Sequence, residues 1–143
     1  MTSTELRPDF SGVWELNFVK SIMRGPAAKR ILMILDHKEP RLVQQILVTV
    51  AGGKQQQMTF NLEIGADTAN LMGGGMARNH ASWQGKELVI ESRVNIAGRE
   101  AYYKDHWSLS EDGQTLTMEH RDDDLDGQTA VLDKRSTANV TKT

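Results

Sequence analysis

Asp105 and His120 are the residues of this chain whose types and placement best suit chemistry. An imidazole held by a carboxylate takes up and releases a proton near neutral pH. The pair therefore suits general acid–base work, with His120 as the base, Asp105 orienting it and Tyr103 as a neighbouring proton carrier. The same residues read first as a structural pair, two polar groups that satisfy each other at the mouth of the barrel.

A hairpin brings them together. Glu111-Asp112-Gly113-Gln114 has Asp-Gly at its centre, which favours a two-residue type I′ loop. That register sets Leu109 opposite Leu116 and Trp107 opposite Met118, with all four apolar side chains on one face. A slip of one residue would set Leu109 against Thr115 and Trp107 against Thr117, which argues against it. Extending the ladder puts Asp105 opposite His120 on the inward face, where Cβ atoms lie roughly 4.5–5.5 Å apart. Tyr103 is one step further along. Glu100, Tyr102, Lys104, His106 and Ser108 fall on the outward face and read as solvated.

The preceding hairpin, turning at Gln84-Gly85-Lys86-Glu87, supplies a compatible wall. It sets Trp83 opposite Leu88, Ala81 opposite Ile90 and Asn79 opposite Ser92. A mostly apolar surface with a few convergent polar groups is what a small-molecule site needs. Trp107, Met118, Trp83 and Ile90 are the apolar candidates for ligand contact, and Asn79 and Ser92 the polar ones. Phe60 and Met58, from an alternating run, and Phe18, on the face of Trp14 and Leu16, extend the set. Each apolar member taken singly reads first as packed core.

The elements that must position these residues are short strands separated by glycine and Asp-Gly turns. Strands are expected at 12–18, 31–35, 42–50 and 58–64, then near 77–83, 88–96, 100–109, 115–121 and 128–135. Residues 19–23 suggest a short helical turn after the first strand, stopped by Gly25-Pro26. The stretch 65–75, ending in three glycines, reads as a mobile loop beside a cavity, and 137–143 as a polar tail. About eight to ten strands without a long crossover predict an all-β fold, an up-and-down antiparallel barrel spanning 1–143 as one domain. A barrel of about eight strands can hold one small ligand.

Composition narrows the function classes. The chain has 143 residues, 38% hydrophobic and 25% charged, with a net charge of −2. That balance offers no basic field for nucleic acid. The absence of cysteine excludes disulfides, thiol catalysis and thiolate metal sites. Residues 1–7 lack the apolar core of a secretory signal, and no run is long enough to cross a bilayer, so a cytoplasmic location without a membrane partner is expected. Monomer and homodimer both remain open.

Metal and cofactor signals are weak. The four histidines show no metal-ligand spacing; His37 and His80 read as solvated and only His120 as inward, so no metal centre is expected. A haem on His120 has no supporting motif, and no cofactor is expected. Asp122-Asp123-Asp124-Leu125-Asp126-Gly127 matches the front of a calcium loop, with Asp133 at the closing position. Its flanks read as strands, so an acidic turn is the plainer reading. No phosphate-binding loop, dinucleotide fingerprint or nucleophile elbow is present.

Phe10-Ser11-Gly12-Val13-Trp14-Glu15-Leu16 resembles the first strand of lipocalin-like barrels, marked by Gly-x-Trp. Ala81-Ser82-Trp83-Gln84-Gly85, Leu88-Val89-Ile90-Glu91-Ser92 and the segment 107–117 are similar to a bacterial lipocalin-like family of calycin type. The resemblance implies that Trp14 plugs the closed end, that Gly12 permits tight packing beside it, and that Arg135 on the last strand stacks on the indole. It also implies an interior ligand cavity. Two functions follow as expectations. One is a barrel holding a small apolar or amphipathic molecule. The other is a cofactor-independent isomerase, cyclase or lyase using Asp105–His120 with Tyr103. A stand-alone interaction protein is disfavoured, because no apolar patch or charge block is visible.

Overall fold

Alternating inward and outward side chains, broken by tight turns, produce ten antiparallel strands. The computed structural model describes residues 7–23, 28–72, 74–122 and 127–135. The strands are β1 (Gly12–Leu16), β2 (Ala28–Lys38), β3 (Arg41–Val50), β4 (Gln55–Glu63), β5 (Asp67–Met72), β6 (Gly75–Gln84), β7 (Glu87–Ile96), β8 (Arg99–Leu109), β9 (Thr115–Asp122) and β10 (Gln128–Arg135). They form one sheet in the order β4-β3-β2-β1-β10-β9-β8-β7-β6-β5. This is an up-and-down barrel, nearly closed on itself.

Closure at the β4–β5 seam is made by a side chain. Asn70 on β5 accepts the Asn61 backbone N–H at 2.8 Å and donates to the Asn61 carbonyl at 3.1 Å, so its amide imitates a paired strand residue. The chain of bonds continues inward: Asn70 Nδ2 donates to Asn79 Oδ1 at 2.9 Å, and Asn79 Nδ2 donates to Ser92 Oγ at 2.8 Å. Asn70, Asn79 and Ser92 are all buried. Buried polar groups left unpaired are costly, which is why the network is complete. Asn70→Ala should lower unfolding stability by about 1–2 kcal/mol, because Asn79 loses a buried partner. Denaturant unfolding checks this, and an unchanged midpoint would show that the amide does not close the seam.

Several expectations are corrected here. The stretch 65–75 is no loop: β5 pairs with β6 from Asp67↔His80 to Met72↔Gly75. Its flanking glycines hide a strand that needs only a partner and the Asn70 clasp. Residues 18–20 form a turn and not a helix, held by Asn17, whose Oδ1 accepts from Lys20 N at 3.1 Å and whose carbonyl accepts from Ser21 Oγ at 2.6 Å. Gly25-Pro26, Asp123–Asp126 and 137–143 lie outside the described residues. No helix among the described residues is long and apolar enough to cross a membrane.

The core fills one half of the barrel. At the end where β1 begins, Phe10 and Trp14 are fully buried among Leu35, Leu42, Leu88 and Leu116. Trp14 Nε1 donates to the Phe10 carbonyl at 3.0 Å. The cation over the indole is Lys134, with Nζ 5.6 Å from the ring centre, and not Arg135. The reason is strand parity. Lys134 is paired with Trp14 and shares its inward side, whereas Arg135 pairs with Val13 and turns outward to Glu15 at 3.0 Å. Burial works against the Glu15 charge, but hydrogen bonds from Arg135 and Arg30 hold its carboxyl below the ordinary range.

Candidate ligand-binding site

The opposite half of the barrel is hollow. A cavity of about 410 Å³ lies between β3, β4 and the β6–β10 wall. A second lobe of about 260 Å³ opens towards Leu16, Ile31, Met33 and Val48. Ile46, Asp105, Met118, His120 and Gln128 border both spaces, so the Asp–His pair stands at their junction.

Register places the pair as expected. Leu109↔Leu116, Trp107↔Met118 and Asp105↔His120 are cross-strand partners on β8 and β9. The turn itself differs. Gly113 alone has positive φ there, at 73°, and its N–H donates to the Ser110 carbonyl at 2.9 Å, so this is not the type I′ loop. Asp112 replaces that geometry by accepting from Ser110 Oγ at 2.7 Å and Gln114 N at 3.1 Å. The observed loop over 111–114 is two residues longer than the expected one but has the same centre at Asp112-Gly113, so the ladder is unchanged.

His120 Nδ1 lies 2.6 Å from Asp105 Oδ1. Tyr103 packs its ring 5.1 Å from the imidazole, tilted by 35°. With Nδ1 occupied by the carboxylate, Nε2 is the nitrogen left for a bound molecule. The hydrogen bond to Asp105 raises the His120 pKa; burial opposes it, and the charges of Asp105 and Asp122 add to the rise. Stability from this pair is fully present below the ordinary imidazole pKa of about 6.5 and is lost as pH rises through the raised value. The ionisable groups facing the ring are Asp105 and Tyr103 from β8 and Asp122 from its own strand. In an NMR titration of the imidazoles, Asp105→Asn should lower the His120 midpoint. An unmoved midpoint would show that Asp105 does not set it.

The other candidates divide by position. Met58, Phe60, Asn79, Ile90, Ser92, Trp107 and Met118 line the cavity with Tyr103. Asn79 and Ser92 are less available than their residue types suggest, because they already belong to the seam network. Two candidates are not brought there. Phe18 is 45% exposed, since β1 ends at Leu16 and Phe18 sits in the following turn. Trp83 lies at the closed end, stacked on Phe10 with ring centres 5.9 Å apart and beneath Arg7 at 5.4 Å.

His37 overturns the expectation of a solvated residue. It is 7% exposed, stacks on Phe10, and its Nδ1 accepts the Phe10 backbone N–H at 3.1 Å, leaving Nε2–H to donate to Glu39 at 2.5 Å. Its role is structural, tying the N-terminal segment across the barrel floor. Sequence reasoning also missed Gln44, Asp122 and Gln128 on the cavity wall. The even positions of β3 and β9 would have pointed to Gln44 and Asp122. Among the described residues no group of three or more His, Asp or Glu is placed to hold a metal.

Several large apolar side chains are exposed among the described residues. Val19 is 96% exposed, Leu71 79% and Ile22 66%.

No protein-family model matches the chain, and no curated protein matches it by sequence. Solved structures do. Secretory abundant heat soluble protein 4 from Ramazzottius varieornatus superposes with a TM-score of 0.69 at 15% identity, covering 94% of this chain and 100% of that one. The fold shared with it is a nearly closed up-and-down antiparallel β-barrel. The fluorescent protein UnaG matches with a TM-score of 0.59 at 12% identity, over 88% of this chain and 97% of that one. Likeness at such identities concerns the fold alone.

Proposed function

We propose that this barrel binds one small apolar or amphipathic molecule in its interior. The observation that carries the proposal is the 410 Å³ cavity, whose largely apolar wall includes the Asp105–His120 pair and Asp122. Binding sites for small molecules typically measure about 300–1,000 Å³, so one such molecule fits. The lipocalin-like segments around Trp14, Trp83 and Trp107 agree with this reading, as does a fold that other barrels use around an interior space. Titration with the neutral apolar dye Nile red tests it. One dye per folded chain with blue-shifted emission is expected, and a folded chain that binds none would contradict the proposal.

One observation favours a second reading, an enzyme on the same barrel. The Asp105–His120 contact borders both lobes, and its elevated basicity suits proton transfer to or from a bound molecule. Isomerisation, cyclisation or elimination could run on such a pair without a cofactor. That reading expects His120→Ala to abolish turnover while Nile red affinity stays within threefold. Full activity in the variant would remove His120 from the chemistry.

A further inference from the structure

The charge of the cavity wall narrows the ligand class. The described residues that line the main cavity include two carboxylates, Asp105 and Asp122, and one imidazole, His120, but no lysine or arginine. The second lobe adds no charged side chain to that set. On the same strands Lys104 pairs with Arg121 and Arg78 with Arg93 at positions between inward ones. Lys134 and Arg99 are in phase with the wall but lie outside the lining, Lys134 over Trp14 at the closed end and Arg99 exposed at the start of β8. Even with His120 protonated, the described lining residues carry more negative than positive charge.

A carboxylate ligand would therefore lose its hydration inside the barrel and meet like charge in exchange. The amides of Asn79, Gln44 and Gln128 bring N–H dipoles to the wall but no positive charge, and Asn79 and Gln44 each already direct one N–H elsewhere, to Ser92 and to Met33 Sδ at 3.4 Å. A cation meets the opposite situation. Aromatic faces attract positive charge, and Tyr103, Phe60 and Trp107 all border the space that Asp105 faces. Uncharged hydrogen-bond donors such as alcohols fall between the two.

We propose that the cavity accepts an apolar molecule bearing a protonated amine and discriminates against the corresponding carboxylate. This rests on the interior-binding reading above and goes beyond it by naming the polar group that the wall recognises.

Competition against bound Nile red tests the proposal on the full chain at pH 7.5. Decylamine, decanol and decanoate serve as competitors, each below the concentration at which it self-associates. Decylamine should displace the dye at a concentration at least tenfold lower than decanoate, with decanol between them. In the Asp105→Asn/Asp122→Asn double variant the ratio should fall below threefold. Should that variant fail to fold, Asp122→Asn alone should still reduce the ratio by at least twofold. If decanoate competes as well as decylamine while Nile red binds, the ligand class is wrong and the interior-binding reading stands. A ratio that survives the carboxylate substitutions would locate the preference on the protein surface and overturn the proposal. If Nile red does not bind the folded chain at all, both readings fall together.

Discussion

Trp14→Ala should cost about 3–5 kcal/mol of unfolding stability, the largest loss expected from any single truncation of the closed end. The indole is fully buried, donates to the Phe10 carbonyl at 3.0 Å and carries Lys134 over its face. Removing it leaves a void under Phe10, whose ring stacks on His37 and Trp83 and meets Trp107 edge-on at 5.7 Å. The void cannot collapse easily, because those rings are held by strands on opposite sides of the barrel. The Phe10 carbonyl also loses its donor. Guanidinium unfolding with unchanged slope is the measurement, and a cost below about 1 kcal/mol would show that the indole is not the plug. Lys134→Ala should cost far less, since a solvent-exposed cation over a ring face contributes about 0.5–1 kcal/mol.

Met118→Trp should weaken Nile red binding at least tenfold while the barrel stays folded. Met118 lines both lobes and sits beside Trp107, so an indole there projects into the space where the lobes meet. Overpacking costs about 1–3 kcal/mol where no free volume exists. Here the added atoms have a cavity to enter, so the stability change should fall at the lower end. Ala77→Leu, on the facing part of the wall, fills the main lobe only and should weaken binding by a smaller factor. If neither variant alters dye affinity, the dye binds elsewhere, and the exposed apolar side chains Val19, Ile22 and Leu71 are the places to look.

Local rules made part of this site legible. Alternation and turn spacing were enough to pair Asp105 with His120 and Asn79 with Ser92, because a one-residue slip would turn every apolar residue outward. The arithmetic was robust even where the turn type was misjudged, since the Ser110–Thr115 turn closes the same ladder. Three features depended on contacts distant in sequence and could not be read this way. His37 looks like a turn residue until Phe10 packs across it from 27 positions away. Asp67–Met72 looks like a loop until Asn61 supplies the edge for Asn70. Trp83 looks inward by register, as it is, but register does not say how far down the barrel the packed floor extends. Phe18 failed for a simpler reason: the strand that would have aimed it inward stops two residues earlier.

The central claim is that the hollow half of the barrel takes a ligand between β4, β7, β8 and β9. Methyl NMR of the full chain during titration with Nile red tests it most directly. The account predicts saturable shifts at Ile46, Met58, Ile90 and Met118, with Val13 and Val89, which are buried outside the cavity, left unmoved. Shifts confined to exposed side chains such as Ile22 and Leu71, with the four interior methyls silent, would contradict it.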